Sequence, residues 1–195
     1  MRLNDIFDRI VVINLDSRTD RLEAFDEQAK KYGIEYIRFP AVVADPPKLP
    51  PTWACKESHR RVLDKALNDG VKRLFVFEDD AQFVENFNEK LEEIYSKVPE
   101  DWDMFYLGAW HLAFEKYTEG LVKMVDSYSA HAYGIDQKFL PIALSQFSVP
   151  SPVDICYSAK HPHIKAYCAK PALVGQTPGY SDIEKEYRDV TDKYL

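Results

Sequence analysis

An acidic triplet, Glu78-Asp79-Asp80, directly follows an apolar run and is the most suggestive chemical feature of the sequence. Three neighbouring carboxylates repel one another unless a cation lies among them. Hard divalent cations such as Mg²⁺ and Mn²⁺ take carboxylate oxygens as ligands and often share them with substrate phosphates. The triplet indicates a metal and phosphate site, although a solvated turn after a strand explains these three residues equally well.

A second candidate site follows the first apolar run, at Asn14-Leu15-Asp16-Ser17-Arg18. A loop that enters a helix presents free N–H groups and the positive end of the helix dipole to an anion. Arg18 and Arg21 are one turn apart and within reach of a nucleotide phosphate. Taken alone, the segment is better explained by ordinary capping with exposed arginines.

Three further features have weaker chemical signatures. Ser58-His59 lies on a predicted helix, and the local sequence supplies no Ser–His–Asp relay, so a hydrolase triad is not expected. Asp154 follows a Pro-Ser-Pro break, where an acid usually caps a helix. His161 and His163 could ligate a metal, but surface positions explain them better.

The chain contains three cysteines, Cys55, Cys156 and Cys168. Their odd number and wide separation fit neither a disulfide framework nor the spacing of a zinc site. Reduced thiols in a cytoplasmic protein are the expectation.

The chemical candidates lie on a predicted alternation of strands and helices. The first half predicts strands over 10–13, 34–39 and 73–77, helices over 17–32 and 53–68, and a Pro-rich linker over 40–52. The second half predicts helices over 87–97 and 137–147, a short helix after Pro152, and strands over 102–107, 121–125, 130–135 and 164–168. The acidic segment 182–195 is either a terminal helix or the place where a longer protein was cut. Gly33 should cap the first helix, and Ser17 with Asp20 should open it as a capping box.

Strand–helix–strand alternation predicts right-handed crossovers, hence a parallel sheet with a looser, mixed second half. Ligands in such sheets bind beyond the carboxyl ends of the strands, which is where the acidic triplet falls.

Length and composition suit one globular domain and exclude some functions. The chain has 195 residues, 46% of them hydrophobic, and a net charge of −7, which argues against nucleic-acid binding. The N-terminus is too charged for a signal peptide, and no apolar run is long enough to cross a bilayer. We therefore expect a cytoplasmic protein with no transmembrane segment.

Eight short sequence blocks, each present once, follow one another in a fixed order along nearly the whole chain. They are Ile13-Asn14-Leu15-Asp16 with Arg18 and Asp20-Arg21, Cys55-x-x-Ser58-His59, Phe77-Glu78-Asp79-Asp80, Asp101-Trp102-Asp103 with Leu107-Gly108, Ala130-His131-Ala132-Tyr133, Pro152-Val153-Asp154, Pro171-x-Leu173-Val174-x-Gln176 and Ser181-Asp182-Ile183. As an ordered set they resemble glycosyltransferase family 25, the lipopolysaccharide and procollagen galactosyltransferase-like enzymes.

The resemblance implies a GT-A-type α/β nucleotide-sugar-binding fold, with a central, mostly parallel (mixed) sheet flanked by helices. It implies one glycosyltransferase domain over 1–195, with a nucleotide-sugar-binding half (1–110) and an acceptor-side half (111–195), either complete or one module of a longer protein. It also implies an inverting, metal-assisted transfer of a hexose from a UDP-sugar to a glycan or glycoprotein, as in lipopolysaccharide or other glycan biosynthesis or in protein glycosylation. Galactose is the first expectation, glucose or another sugar the alternative, and Mn²⁺ or Mg²⁺ the cofactor.

The resemblance also assigns roles to residues. Asp80 and Asp79 would hold the metal, and Asp154 would be the general base, with Asp103 and Asp182 as alternatives. The nucleotide-sugar pocket would be formed by Asn14, Leu15, Arg18, Arg21, Ser58, His59, Glu78, Asp79 and Gln176.

Two other functions remain open at this point. A non-catalytic module would bind a sugar nucleotide or glycan without turnover. A metal-dependent phosphotransferase or phosphohydrolase would need an Asp-x-Asp at the first strand, and Asn14-Leu15-Asp16 does not supply one.

Overall fold

A computed structural model describes residues 1–194. The strands are β1 (Arg9–Asn14), β2 (Ile37–Pro40), β3 (Arg73–Glu78), β4 (Ala81–Phe83), β5 (Met104–Tyr106), β6 (Trp110–Thr118), β7 (Leu121–Tyr128), β8 (Ala132–Asp136), β9 (Ala166–Ala169), β10 (Val174–Gln176), β11 (Gly179–Tyr180) and β12 (Tyr187–Arg188). The α-helices are α1 (Thr19–Tyr32), α2 (Pro51–Asn68), α3 (Phe87–Tyr95), α4 (Leu140–Gln146) and α5 (Val153–Ser158). Short 3-10 helices cover Leu3–Asp5, His161–His163 and Thr191–Tyr194.

The centre of the fold is an eight-stranded mixed sheet in the order β2-β1-β3-β8-β5-β9-β7-β6. β1 lies between β2 and β3 and is parallel to both, and β9 is parallel to β5. β8 runs antiparallel to β3 and β5, and the β6–β7 hairpin closes the far edge. Helices cover this sheet, which confirms the α/β prediction.

The strand order reverses at β1. The connection through α1 leads to β2 on one side of β1, and the connection through α2 leads to β3 on its other side. The carboxyl ends of β1 and β3 therefore lie side by side, with Ile13 paired to Glu78. This is the switch point at which open α/β sheets form a ligand-binding crevice.

Alternate residues of the central strands enter two separate cores. Phe75 and Phe77 pack with Phe25 of α1 on one face, and Leu74 and Val76 pack with Leu63 of α2 on the other. All six side chains are completely buried. Burying a large apolar side chain contributes roughly 1.5–3 kcal/mol, so these layers hold the strand ends in fixed positions.

Most element boundaries differ from the predictions by a few residues. The predicted capping box at Ser17 and Asp20 is wrong: α1 begins at Thr19, and its N-cap Arg18 makes no side-chain cap hydrogen bond. The predicted C-cap is confirmed, since Gly33 adopts a left-handed conformation with φ of 66°. α2 begins inside the predicted linker, with Pro51 in its first turn, where the missing N–H costs nothing.

The larger errors concern the second half. The predicted terminal helix is wrong over the described residues 182–194, which instead contain β12 and a 3-10 turn; Leu195 lies outside the described residues. β4, β6, β10 and β11 were not predicted. In the part of the chain that the structure describes, no helix combines the length and the apolar character needed to span a bilayer.

Candidate active site at the ends of two strands

A cavity of about 800 Å³ lies beyond the carboxyl ends of β1 and β3. The N-terminal half of α2 and the first turn of α5 form part of its wall, and the segment from Gln176 to Val190 forms another. The acidic triplet borders the cavity, as the sequence predicted for the end of a parallel strand.

The three carboxylates of the triplet have different partners. Glu78 faces α2, where its Oε1 lies 3.2 Å from His59 Nε2. Asp79 accepts hydrogen bonds from Asn14 Nδ2 at 2.7 Å and Arg21 Nη1 at 3.1 Å. Asp80 lies 3.4 Å from the same Arg21 nitrogen and 3.3 Å from Gln176 Nε2. Asp79 and Asp80 therefore share one guanidinium, whereas Glu78 belongs to a separate cluster.

Burial and mutual repulsion shift the titration of these acids. Burial, reinforced by the charges of Glu78 and Asp79, raises the pKa of Asp80 to about 7, and Arg21 only partly opposes this. Burial also raises the pKa of Asp79 despite its bonds to Asn14 and Arg21. Burial opposes ionisation of Glu78 as well, but the hydrogen bond from His59 and the electrostatic attraction of His59, His131 and Arg21 together outweigh it and lower the pKa of Glu78.

The cavity wall has an excess of negative charge. Its acidic residues are Glu78, Asp79, Asp80, Asp154, Asp182 and Glu184, and its basic residues are Arg21, Lys185 and Arg188. Such an excess favours a bound cation, and the carboxylates of Asp79 and Asp80 are the donor type that Mg²⁺ and Mn²⁺ prefer. The residues present therefore fit a hard divalent cation at this pair.

Asp154 borders the same cavity from a different element, the first turn of α5. Its Oδ2 accepts a hydrogen bond from the Ser129 backbone N–H at 3.1 Å, and its Oδ1 accepts one from the Ile155 N–H at 2.9 Å. Two main-chain donors thus fix the orientation of the carboxylate while it remains half-buried at the cavity edge.

Most of the other predicted site residues also border the cavity. They are Leu15, Arg21, Ser58, His59 and Gln176. Ser58 is completely buried, and its Oγ is already engaged, donating to the Ala54 carbonyl and accepting from the Val42 N–H at 2.8 Å each.

Asn14 and Arg18 do not border the cavity. Asn14 is buried, and besides holding Asp79 it accepts a hydrogen bond from Arg38 Nε at 2.9 Å. Arg18 forms ion pairs with Asp20 at 2.9 Å and with Asp182 at 2.5 Å. These two residues position cavity-lining groups.

The sequence reasoning missed part of the site. Tyr194 donates a hydrogen bond to Gln176 Oε1, and the β11–β12 segment contributes to the cavity wall. No local pattern predicts either contact. Cys55 also borders the cavity, close to Glu78. Its position beside His59 could be predicted, because the two residues are four apart on a predicted helix and therefore share one face of it.

Comparisons with known proteins agree with this architecture. The family model of glycosyltransferase family 25 (LPS biosynthesis protein) matches residues 51–149. A rat protein named probable inactive glycosyltransferase 25 family member 3 is 26% identical over 158 residues, which cover 67% of this chain and 27% of the rat protein. Mouse procollagen galactosyltransferase 2 is 27% identical across 91% of this chain and 37% of its own length. The chain thus spans well under half of these curated relatives.

A solved structure supports the same fold. It is a glycosyltransferase involved in glycosylation of the major capsid of PBCV-1, with a TM-score of 0.58 and 12% identity over 91% of this chain and 95% of that one. The fold is of the GT-A-like type, and the family match extends over half of the sequence. This chain belongs to glycosyltransferase family 25.

Proposed function

We propose that this chain is an inverting, metal-dependent glycosyltransferase that moves a hexose from a UDP-sugar to a glycan or glycoprotein acceptor. Galactose is the first candidate, in keeping with the mouse relative's name, and glucose or another hexose is the alternative. The observation that carries the proposal is the carboxylate-rich cavity at the ends of β1 and β3, with Asp79 and Asp80 on its wall.

The donor end of the site is assigned to the β1 and β3 ends. Asp80 and Asp79 would hold Mn²⁺ or Mg²⁺, which when bound neutralises charge on the leaving diphosphate. Asn14 keeps Asp79 oriented, and Gln176 does the same for Asp80. Leu15, Arg21, Ser58, His59 and Glu78 complete the wall available to the nucleotide sugar.

Asp154 is assigned as the general base. The acceptor hydroxyl oxygen forms a bond to the anomeric carbon while the bond from that carbon to the diphosphate oxygen breaks, and Asp154 takes the hydroxyl proton. The alternatives have competing partners: Asp182 is paired with Arg18, and Asp103 accepts a hydrogen bond from the Lys165 N–H at 2.8 Å and does not border the cavity.

A non-catalytic sugar-nucleotide-binding module is the second candidate, because the rat relative is named probable inactive. A phosphotransferase function has less support, because it needs acids after the first strand. The acid there, Asp16, is paired with Arg38 and does not border the cavity.

A thermal-shift panel of UDP-sugars with and without Mn²⁺ tests the proposal. A donor at 100 times its Kd should add about 2.7 kcal/mol of stability. Asp80→Asn should abolish the Mn²⁺-dependent part, whereas Asp64→Asn, an exposed acid on α2, should leave it unchanged. No response to any UDP-sugar would contradict the proposal, and stabilisation without sugar transfer to any acceptor would favour the binding module.

We also propose that both halves of the chain form one domain, because β8 from the second half lies between β3 and β5 of the first. The cytoplasmic location stays a prediction.

A further inference from the structure

Cys55, His59 and Glu78 form a compact cluster beside the acidic pair. Cys55 and His59 lie one turn apart on α2, and Glu78 ends β3. Glu78 Oε1 is 3.2 Å from His59 Nε2 and 3.8 Å from Cys55 Sγ. One ligand atom from each residue lies within 4.8 Å of the other two.

The two separations from Glu78 Oε1, to His59 Nε2 and to Cys55 Sγ, are close to those between ligands of one metal ion. Zinc bonds are about 2.3 Å to sulfur, 2.0 Å to imidazole nitrogen and 2.0–2.2 Å to carboxylate oxygen. Ligand atoms at those distances in tetrahedral directions are roughly 3.3–3.8 Å apart. The cluster could therefore close around such an ion with little movement of α2 against β3.

The other ring nitrogen of His59 also has a hydrogen-bond partner. His59 Nδ1 lies 2.9 Å from Tyr133 Oη, which in turn lies 3.2 Å from Tyr157 Oη. His59 and Tyr133 are completely buried, so the ring has little freedom to turn. Metal-bound histidines typically have such a partner on their second nitrogen, because it fixes the ring and the tautomer.

We propose that Cys55, His59 and Glu78 form a second metal site, one that takes a divalent cation of the Zn²⁺ class. Thiolate and imidazole ligands favour Zn²⁺ over Mg²⁺ and Mn²⁺, whereas Asp79 and Asp80 offer oxygen alone. All three residues border the cavity, which leaves further coordination positions open to solvent or a ligand.

Metal binding at this site has a definite proton balance. A bond forms between Cys55 Sγ and the cation as the thiol proton passes to solvent. His59 binds through Nε2, which gives up the proton it donates to Glu78, while Nδ1 takes up a proton and donates a hydrogen bond to Tyr133 Oη. The cation would join α2 to the end of β3. The inference does not rest on the transferase proposal, because binding is measured without nucleotide sugar.

A titration of metal-free protein with Co²⁺ and Zn²⁺ tests the site. Co²⁺ should produce a thiolate-to-metal charge-transfer band in the near ultraviolet, and Zn²⁺ should remove it. Cys55→Ser should abolish the band and weaken Zn²⁺ binding by more than about a hundredfold, beyond the usual effect of losing an outer partner. Cys156→Ser, at a buried cysteine that is outside the cluster and whose thiol donates to the Ser151 carbonyl at 3.5 Å, should retain both.

Two further variants distinguish loss of metal binding at this site from loss of binding at the Asp79–Asp80 pair and from misfolding. Tyr133→Phe removes only the hydroxyl behind His59 and should weaken Zn²⁺ binding by about 10–100-fold with the band retained. Asp80→Asn should keep full Zn²⁺ affinity while losing the Mn²⁺ response, so failure of the transferase proposal would not be mistaken for failure of this one.

Thiol labelling of the unaltered protein gives an independent measurement. Cys55 is half-buried at the cavity, whereas Cys156 and Cys168 are buried, so iodoacetamide should modify Cys55 first and Zn²⁺ should slow that reaction. A Co²⁺ spectrum without a thiolate band, or equal Zn²⁺ affinity in the wild type and Cys55→Ser, would overturn the proposal.

Discussion

At the residue scale, Arg21 occupies the position where a cation would relieve repulsion between Asp79 and Asp80. One of its nitrogens contacts both carboxylates, and the other donates to the Tyr180 carbonyl at 2.7 Å. The side chains of all three charged residues are at most 18% exposed, so their interaction is weakly screened. Arg21 and a metal ion would therefore compete for the same carboxylate oxygens.

Arg21→Gln tests that competition. Without metal, the variant should lose roughly 1–3 kcal/mol of unfolding free energy, because buried acids lose their charged partner. Mn²⁺ should stabilise it more than it stabilises the wild type, since no guanidinium must be displaced. Denaturant unfolding with and without Mn²⁺ measures both effects. Arg60→Gln, at a partly exposed Arg–Glu pair on α2, is the control. An Mn²⁺ stabilisation in Arg21→Gln no larger than in the wild type would contradict the prediction.

Asp154→Asn tests the assigned base. The amide is nearly the same size, and its single oxygen can still accept one of the two hydrogen bonds that Ser129 and Ile155 donate. Because Asp154 lies on α5, apart from the strand ends assigned to the donor, donor binding should be unchanged. Turnover should fall by roughly 10²–10⁴-fold, because the proton acceptor is lost. Steady-state transfer assays and donor titrations give the two readouts, with Asp126→Asn as the control for an acid outside the cavity wall. Near-normal turnover would remove Asp154 from this role.

The residue types of the site were predictable, but the directions of their side chains were not. The strand-end rule placed Glu78, Asp79 and Asp80 at the cavity, yet it could not show that Glu78 turns toward α2. Arg18 was expected to face the nucleotide, and instead it pairs with Asp182, far away in sequence. Such partners follow from tertiary packing, which a local pattern does not encode.

At the element scale, β10 sets the position of Gln176 and thereby the orientation of Asp80. The Leu107 carbonyl accepts hydrogen bonds from the N–H groups of Leu173 and Val174, at 2.7 Å and 3.1 Å. This close approach leaves no space at Gly108, where an added Cβ would lie 2.0 Å from the Val174 carbonyl oxygen. Glycine is therefore required here for close contact between two segments.

Gly108→Ala should shift β10 and disturb the metal pair. We expect a loss of about 1–3 kcal/mol in unfolding free energy, typical of overpacking, together with weaker Mn²⁺ binding because Gln176 moves with β10. Denaturant unfolding and Mn²⁺ titration measure the two effects. Gly179→Ala is the control, since its new Cβ would meet nothing nearer than the Thr177 carbonyl oxygen at 4.0 Å. Equal stability of the two variants would refute the expected clash.

Buried strands are predicted more accurately from the sequence than exposed ones. β1 and β3 are continuous apolar runs covered on both faces, and both were predicted within a residue or so. β6 is an edge strand whose side chains are mostly exposed, so it shows no alternation and was missed. The acidic segment after Asp182 has helix-forming composition, but its backbone bonds, such as Ser181 N–H to the Glu186 carbonyl, form a hairpin instead.

At the scale of the whole molecule, the sheet order joins residues that are distant in sequence. β8 of the second half separates β3 from β5, so the order of elements along the chain gave the α/β class and the switch point but not the full topology. Sequence patterns do not predict the buried polar groups of the second half either. His161, expected at the surface, is 1% exposed, with Nε2 3.1 Å from Tyr106 Oη and Nδ1 3.4 Å from Ser127 Oγ.

Burial of His161 makes the stability of the whole fold depend on pH. Burial lowers the pKa of His161 from 6.5 to about 4, although Asp126 opposes the shift. Between these values the unfolded chain binds a proton that the folded chain does not, so stability is fully present above about pH 6.5 and falls as the pH drops toward 4. A shift of this size corresponds to a contribution of up to about 3 kcal/mol.

His161→Gln should flatten that part of the pH profile. Unfolding free energies measured from about pH 7 down to about pH 4.5 should converge for wild type and variant as the pH falls, because only the wild type loses the histidine contribution. The wild-type-minus-variant difference isolates His161 from Asp80, whose raised pKa gives a slope of opposite sign. His163→Gln, at an exposed neighbour, should run parallel to the wild type. A constant difference between wild type and His161→Gln across this range would show that His161 titrates alike in the folded and unfolded chains.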